Sequence, residues 1–126
     1  MLPFAFTENS PSYDASRVFY ARIDPETSLA DELLRSLYYI LWFPGYFGFN
    51  WDALYDCLRD LSWIPCKKVV LVHESLPKLN DEDLRMYLEV LRDSVLDWHP
   101  GEDHVLEVNF RSRDECVIRS ILSGQV

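Results

Sequence analysis

The sequence predicts an α/β domain in which helices flank a small three-stranded parallel sheet. Segments typical of strands alternate along the chain with segments of helical periodicity. Helices that connect successive strands favour right-handed crossovers, and these make the strands parallel. In addition, residues 67–73 contain a continuous apolar run bounded by turns, which is typical of a central strand buried on both faces.

The first part of the chain is predicted to contain an arm, a strand and a helix. Residues 1–15 are rich in Pro, Ser and Asn and predict a loop or a loosely attached arm. Residues 17–23 are β-branched and aromatic, as strands are. Thr27 and Ser28 are expected to cap a helix whose leucines recur every four residues, and which ends near Phe43.

The next part is predicted to contain two helices and two strands. Asn50 is a good N-cap for a helix over residues 51–61. The buried strand at residues 67–73 follows. A helix over residues 81–98 begins with three acidic residues, which the helix dipole favours, and ends before a Pro-Gly pair. Residues 104–110 predict the third strand.

The C-terminal extension, residues 111–126, is predicted to contain a short helix. Ser112 and Glu115 have the spacing of a capping box, and apolar residues follow them. The length of 126 residues fits one domain over residues 1–126, and we find neither an internal repeat nor a linker.

The composition is that of an acidic globular protein. The chain has 12 Lys+Arg against 21 Asp+Glu, a formal charge of -9, and 48% of its residues are hydrophobic. The hydrophobic fraction excludes a disordered chain. The acidity argues against nucleic acid as a ligand, because phosphate contacts need clustered Lys and Arg, and against an anionic membrane surface. A basic protein is therefore the expected partner.

The N-terminus, the apolar stretches and the cysteines of the sequence together predict a cytoplasmic protein. The N-terminus lacks the basic region of a signal peptide. The longest apolar stretch, residues 37–49, is interrupted by a Pro-Gly pair and is too short to span a bilayer. Cys57, Cys66 and Cys116 are odd in number and lack zinc-site spacing, which predicts reduced, buried thiols.

Residues 38–56 combine aromatic and acidic side chains. They include half of the chain's aromatic residues, and no Lys or Arg occurs from residue 36 to residue 58. Asp52 and Asp56 lie in this segment, and Asp60 follows one helical turn later, so the three carboxylates share one helix face. Like charges at this spacing destabilise a helix by about 0.2–0.5 kcal/mol per pair. A cationic partner would turn this repulsion into attraction.

Several aromatic residues beside the carboxylates are expected at the surface, because a domain of this size does not easily bury so many together. We expect some of Tyr46, Phe47, Phe49 and Tyr55 to be exposed. Aromatic anchors next to charged side chains are typical of a binding hot spot. Gly48 permits a tight turn or a close approach by a partner.

This segment resembles the signature of barstar-family ribonuclease inhibitors, which runs roughly P-x-Y-[YF]-G-x-N-x-D-A-L-W-D-C-L. The order of strands and helices is also similar, and the resemblance covers roughly residues 16–110. The sequence departs from the pattern at Phe49, where an acidic residue is frequent, and at Tyr55, where Trp is common. The matching residues are Pro44, Tyr46, Phe47, Gly48, Asn50, Asp52, Ala53, Leu54, Asp56, Cys57 and Leu58.

The resemblance implies an inhibitor that blocks the cationic active site of a ribonuclease with an acidic helix and the aromatic loop before it. Asp56 is then expected at the catalytic centre, Asp52 beside a neighbouring Arg or Lys, and Tyr46 over the mouth of the site. Asp93 aligns with a further carboxylate from a later helix. The predicted partner-binding residues are Tyr46, Phe47, Gly48, Phe49, Asn50, Trp51, Asp52, Tyr55, Asp56, Asp60 and Asp93.

The implied partner is a basic ribonuclease toxin, secreted or delivered by neighbouring cells. The chain would act as an immunity or antitoxin protein in the bacterial cytoplasm, bind the toxin 1:1, and be a monomer when free. Neither nucleic acid nor a membrane is expected as a ligand. Phe49 indicates a more apolar contact on the enzyme than is usual in the family.

Three alternatives use the same sequence differently. Asp52 and Asp56 could form a carboxylate pair for glycoside hydrolysis, but no catalytic motif accompanies them, so an enzyme is not predicted. The segment before the third strand could hold a metal, but a polar loop is favoured, and neither metal nor cofactor is predicted. A third alternative is a binding module for another basic protein that is not a ribonuclease. The residues of the metal alternative are His99, Glu102, Asp103 and His104.

Overall fold

A computed structural model of the chain describes residues 2–9 and 11–124. The predicted arm and C-terminal extension include residues 1, 10, 125 and 126, which lie outside the described residues. A 3-10 helix, Ser112–Asp114, precedes the last α-helix. The strands and α-helices of the described part are β1 (Ala5–Thr7), β2 (Val18–Ile23), α1 (Ala30–Ile40), α2 (Trp51–Asp60), β3 (Lys68–His73), α3 (Asp81–Asp97), β4 (Val105–Arg111) and α4 (Glu115–Leu122).

The strands form one parallel sheet in the order β1-β4-β3-β2. This confirms the predicted α/β class with helices flanking a parallel sheet. The β3 strand lies between two neighbours and is buried from Val69 to His73, as its continuous apolar run predicted. The sheet has four strands instead of the three predicted, and the additional strand comes from the N-terminus.

The core lies between one face of the sheet and the helices. Val69 and Leu71 of β3 and Val108 of β4 contribute to it from the sheet. The helix leucines that fill the core are Leu33, Leu34, Leu37, Leu54, Leu58, Leu84, Leu88 and Leu91.

In residues 2–9 and 11–124, no helix combines the length and the apolar character needed to cross a bilayer.

The N-terminal segment is packed on the sheet, so the prediction of a loosely attached arm is wrong. The β1 strand pairs with β4, with Ala5 opposite Asn109. Phe4 is buried, and its ring meets that of Phe110 edge-on with centroids 5.0 Å apart. Sequence patterns did not reveal this strand, because three residues are too few to show alternation and its partner lies at the other end of the chain.

Tyr13 ties the same segment to the sheet face opposite the helices. Its hydroxyl donates to Glu107 Oε2 at 2.5 Å and accepts from Asn109 Nδ2 at 2.6 Å. Lys68 Nζ lies 3.0 Å from Glu107 Oε1 on the other side. Burial, together with the hydrogen bond to Glu107, raises the pKa of Tyr13 to about 12. Tyr13 therefore stays protonated and fixes the segment before β2 across the sheet.

The start of α1 differs from the prediction. Leu29, and not Thr27 or Ser28, occupies the N-cap position. The carboxylate of Glu32 accepts hydrogen bonds from the backbone N–H groups of Ser28 and Leu29, at 3.2 and 3.3 Å. A side chain of the first turn therefore binds the two backbone N–H groups just before the helix, as the Glu of a capping box does, whereas no N-cap side chain accepts a hydrogen bond from the first turn.

The C-terminal helix is present as α4, but the predicted capping box is absent from its start. Ser112 belongs to the 3-10 helix, and Asp114 occupies the N-cap position. Glu115 instead pairs with Arg119 one turn later, with Oε2 2.7 Å from Nη2. The short helix was correctly predicted because its apolar spacing is local, whereas the cap depended on how the chain leaves β4.

The three cysteines are free but differ in exposure. Cys57 on α2 is buried, Cys66 is half-buried and Cys116 is exposed. Burial raises the pKa of the Cys57 thiol to about 11. The prediction of buried thiols is therefore wrong for Cys116. That residue lies two positions from buried Ile118 on α4, and such residues point to opposite sides of a helix.

His73, at the end of β3, is buried, and both of its ring nitrogens lie within hydrogen-bonding distance of a partner, one on α3 and one on β4. Its Nε2 lies 2.7 Å from the hydroxyl of Tyr87 on α3, and its Nδ1 lies 3.1 Å from the carbonyl oxygen of Asn109 on β4. Burial lowers the pKa of the imidazole to about 4. The neutral ring therefore links helix to sheet at neutral pH.

This histidine is expected to make the fold sensitive to mild acid. In the unfolded chain it gains a proton near pH 6.5, whereas the folded chain resists protonation until about pH 4. The unfolded state therefore binds more protons between these values, and the free energy of unfolding falls as pH falls, by on the order of 3 kcal/mol. His73→Gln should lack this contribution. Denaturant titrations from pH 7 to pH 4.5 measure it, and parallel curves for the two proteins would contradict it.

Candidate protein-binding site

The connection between α1 and α2 ends in a local cap that positions the acidic helix. Asn50 is the N-cap of α2, and its Oδ1 accepts a hydrogen bond from the backbone N–H of Ala53 at 2.8 Å, as predicted. A Cβ atom on Gly48 would lie 3.3 Å from Asn50 Nδ2, so this glycine allows close packing against the cap. The left-handed backbone of the connection lies at Trp42 and Phe49 and not at its glycines.

Buried aromatic rings anchor the connection between α1 and α2 to the core. Phe47 is buried, with its ring centroid 4.9 Å from that of Phe43 and 4.8 Å from that of Phe49. Phe43 in turn meets Trp63 edge-on at 5.9 Å. The side chain of Phe47 therefore supports the loop and does not form its outer surface, although the family pattern places it among the partner-binding residues.

Other aromatic residues of the connection reach the surface. Tyr46 is 69% exposed, and its hydroxyl donates to Asp60 Oδ2 at 3.2 Å. Trp51 and Tyr55 on α2 are half-buried. The rings of Trp51 and Tyr87 lie 6.2 Å apart, which anchors α2 on α3. The expectation that some of the clustered aromatics are exposed is therefore met by Tyr46 and by Phe49.

Asp52 and Asp56 are exposed carboxylates on one face of α2. Within residues 2–9 and 11–124, neither makes a hydrogen bond or an ion pair. Asp60 differs, because it accepts from Tyr46 and, at 3.3 Å, from the backbone N–H of Ser62. The two unpaired carboxylates are thus free to meet a cation outside the chain.

Arg59, the first basic residue after the acidic segment, is turned away from it. Its Nη2 lies 3.4 Å from Glu102 Oε2, and its guanidinium carbon lies 4.2 Å from the ring centroid of Trp98. The pairing lies on the side of α2 that faces the segment after α3. The acidic face of α2 therefore has no cation from its own helix.

Tyr55 joins α2 to the end of α3. Its hydroxyl donates to Asp97 Oδ2. This hydrogen bond raises the pKa of Tyr55, and the charge of nearby Asp93 contributes in the same direction. Asp93 is exposed and lies 3.0 Å from Arg92 Nε. The fold therefore brings Asp93 towards the α2 site, and it adds Asp97, for which four-residue spacing from Asp93 was the available sequence signal.

The loop proposed as an alternative metal site forms a polar turn. Glu102 accepts from the backbone N–H of His99 at 2.5 Å and from Arg59. His104 is buried, and its Nδ1 lies 3.1 Å from the carbonyl oxygen of Cys66. Among the residues that the structure describes, no group of three or more His, Cys, Asp or Glu side chains is arranged to hold a metal ion.

Fold and site together define a small α/β protein that presents an acidic helix and an aromatic loop on its surface. The family model described as barstar (barnase inhibitor) matches residues 18–111, from β2 to the end of β4. The chain therefore belongs to the barstar family, whose members are inhibitors of ribonucleases such as barnase and not enzymes. A search of curated protein sequences gave no match. The β1 strand, Tyr13 and α4 lie outside the matched span.

Proposed function

We propose that the chain neutralises a bacterial ribonuclease toxin, as an immunity or antitoxin protein, by placing α2 and the preceding aromatic loop in the enzyme's active site. One observation carries this proposal. Asp52 and Asp56 are exposed on one helix face, and the described part of the chain supplies neither with a cation. Membership of the barstar family supports the choice of a ribonuclease as the partner.

The proposed chemistry is the replacement of RNA phosphate by carboxylate. A ribonuclease binds phosphate with Arg, Lys and His side chains, and these groups attract any well-placed anion. Asp56 would enter the catalytic centre and Asp52 would pair with a neighbouring Arg or Lys. Tyr46 would cover the mouth of the site, since its bond to Asp60 holds the ring beside the acidic helix. Because Asp52 and Asp56 have no ion pair within the described part of the chain, none has to be broken when they bind the enzyme.

The setting proposed for this activity is the bacterial cytoplasm, where an incoming or endogenous toxin meets cellular RNA. The chain would be a monomer when free and would bind the toxin 1:1, with neither nucleic acid nor a membrane as a ligand. The net charge of -9 supports a basic protein as the partner, because a negative charge repels nucleic acid and anionic membranes and speeds association with a basic protein.

Titration of the purified chain into a bacterial ribonuclease toxin, with any toxin encoded beside its gene as the first choice, tests the proposal. With a fluorogenic RNA substrate, cleavage should fall to background at one equivalent of the chain. The doubly substituted variant Asp52→Asn, Asp56→Asn keeps the side-chain shapes and should leave cleavage almost unchanged. Continued cleavage with the wild-type chain in excess would refute the proposal. Tight binding to a basic protein without nuclease activity would instead support the alternative binding module.

A further inference from the structure

An uncharged aromatic surface adjoins the acidic helix. No Asp, Glu, Lys, Arg or His occurs from residue 36 to residue 51, although this stretch is partly on the surface. Tyr39, in the last turn of α1, is 72% exposed, and Phe49, next to the N-cap of α2, is 39% exposed. Tyr39 is absent from the binding residues that the family pattern implies.

Ring contacts connect these two exposed residues. The ring of Tyr39 meets that of Tyr38 edge-on with centroids 5.2 Å apart, and the ring of Tyr38 lies 5.2 Å from that of Phe49. We call Tyr39, Tyr38 and Phe49 the aromatic ladder. Arg35 lies over the outer part of the ladder, 5.7 Å from the Phe49 centroid, but its charge is engaged by Asp31 at 3.2 Å. The ladder thus continues the α2 site onto α1 without adding a free charge.

Phe49 occupies its place in a strained backbone conformation. Its φ is 53°, in the left-handed region that favours glycine and is uncommon for bulky residues. This backbone places the partly exposed ring of Phe49 against Tyr38, beside the N-cap of α2, and so fixes one end of the ladder next to the acidic helix. Trp42 also has a left-handed backbone, with φ 56° and 60% exposure, but its ring packs edge-on against Phe19 at 4.8 Å, outside the ladder.

We propose that the aromatic ladder binds an uncharged, apolar rim beside the cationic active site of the target ribonuclease, and that it selects ribonucleases with such a rim. This inference rests on the function proposed above and names the partner's second contact. Asp52 and Asp56 meet the cationic centre, whereas Tyr39 and Phe49 meet the rim. A ribonuclease with Lys or Arg at that rim would lose the hydration of that charge against a ladder that holds no carboxylate, and contact with a ring face recovers only part of this cost. Aromatic anchors dominate the affinity of many interfaces.

Two ladder variants and a matched control test this contact in binding measurements with the purified ribonuclease toxin that the wild-type chain inhibits. Phe49→Gly and Tyr39→Ser should each weaken binding roughly tenfold or more. Trp42→Gly, which also replaces an exposed aromatic residue in a left-handed conformation, should change it less than about twofold. Because glycine suits the backbone at residues 42 and 49, both glycine variants should keep the fold, and their thermal unfolding reports this.

The direction in which an acidic substitution changes the affinity shows whether the rim is apolar or basic. Phe49→Glu should bind more weakly than Phe49→Gly, since it brings a carboxylate against an apolar surface. Tighter binding by Phe49→Glu than by the wild-type chain would show a basic rim and overturn the inference. Wild-type affinity in both ladder variants would also overturn it, while the proposed function would stand if Asp56→Asn still lost inhibition. Failure of the wild-type chain to inhibit the enzyme would instead refute the proposed function itself.

Discussion

Asp56→Ala should weaken binding to the ribonuclease by a factor of about 30 to several thousand, because it leaves a buried cation of the enzyme without its partner. The free chain should keep its stability or gain slightly. Asp56 lies four residues from both Asp52 and Asp60, and each like-charge pair at this spacing costs about 0.2–0.5 kcal/mol. Calorimetric titration with the toxin and thermal unfolding of the free chain measure the two effects separately.

A charge-matched control separates the site from the general acidity of the chain. Asp103 is exposed in the loop before β4, so Asp103→Ala removes the same charge away from α2 and should leave the affinity within about twofold. Association of the wild-type chain should slow as salt rises, because exposed charges steer the encounter and salt screens them. Asp56→Ala should depend less on salt. Loss of folding together with binding would show that Asp56 is structural.

Phe4→Ala should be the most damaging single change at the N-terminus, with a loss of about 3–5 kcal/mol in the free energy of unfolding and a fall in Tm of roughly 10–20 °C. Phe4 is buried against Phe110 although it lies outside the span shared with the family, so removal of its ring leaves a cavity at the β1 edge of the sheet. Glu8→Ala changes an exposed residue of the same segment and should alter stability by less than about 0.5 kcal/mol.

The effect on inhibition should be different from the effect on stability. Phe4 contacts β1 and β4 and lies outside the α2 site, so Phe4→Ala should still stop RNA cleavage at one equivalent at temperatures where it is folded. An unchanged Tm for Phe4→Ala would contradict the packing of the N-terminal segment on the sheet. A loss of inhibition by a folded Phe4→Ala protein would bring this segment into the interface.

Local patterns predicted most of the fold. The apolar run of β3, the leucine spacing of α1 and the cap at Asn50 each depend on residues that are close in sequence. The β1 strand was missed because it forms only through pairing with β4, so its stability comes from contacts that no short segment contains. The cap of α1 was misplaced because the helix begins after Leu29, where the carboxylate of Glu32 binds the backbone N–H groups of Ser28 and Leu29 and no hydroxyl group caps the first turn.

The candidate site divides in the same way. Helical spacing alone predicted that Asp52 and Asp56 share a face, since every fourth residue of a helix points in nearly the same direction. Spacing could not show that Phe47 is buried while Tyr46, one residue earlier, is exposed. It also could not show that Arg59 turns towards Glu102, because that choice depends on a residue 43 positions away.

The α/β class, the family resemblance and the acidic helix could all be predicted from the sequence, because periodicity and motif spacing are properties of consecutive residues. The packing of the whole chain sets which aromatic rings face solvent, brings Asp97 to α2 through Tyr55, and adds the N-terminal segment to the sheet. Burial and long-range pairing arise when distant segments pack together, so they depend on the whole fold and not on any one segment of the chain.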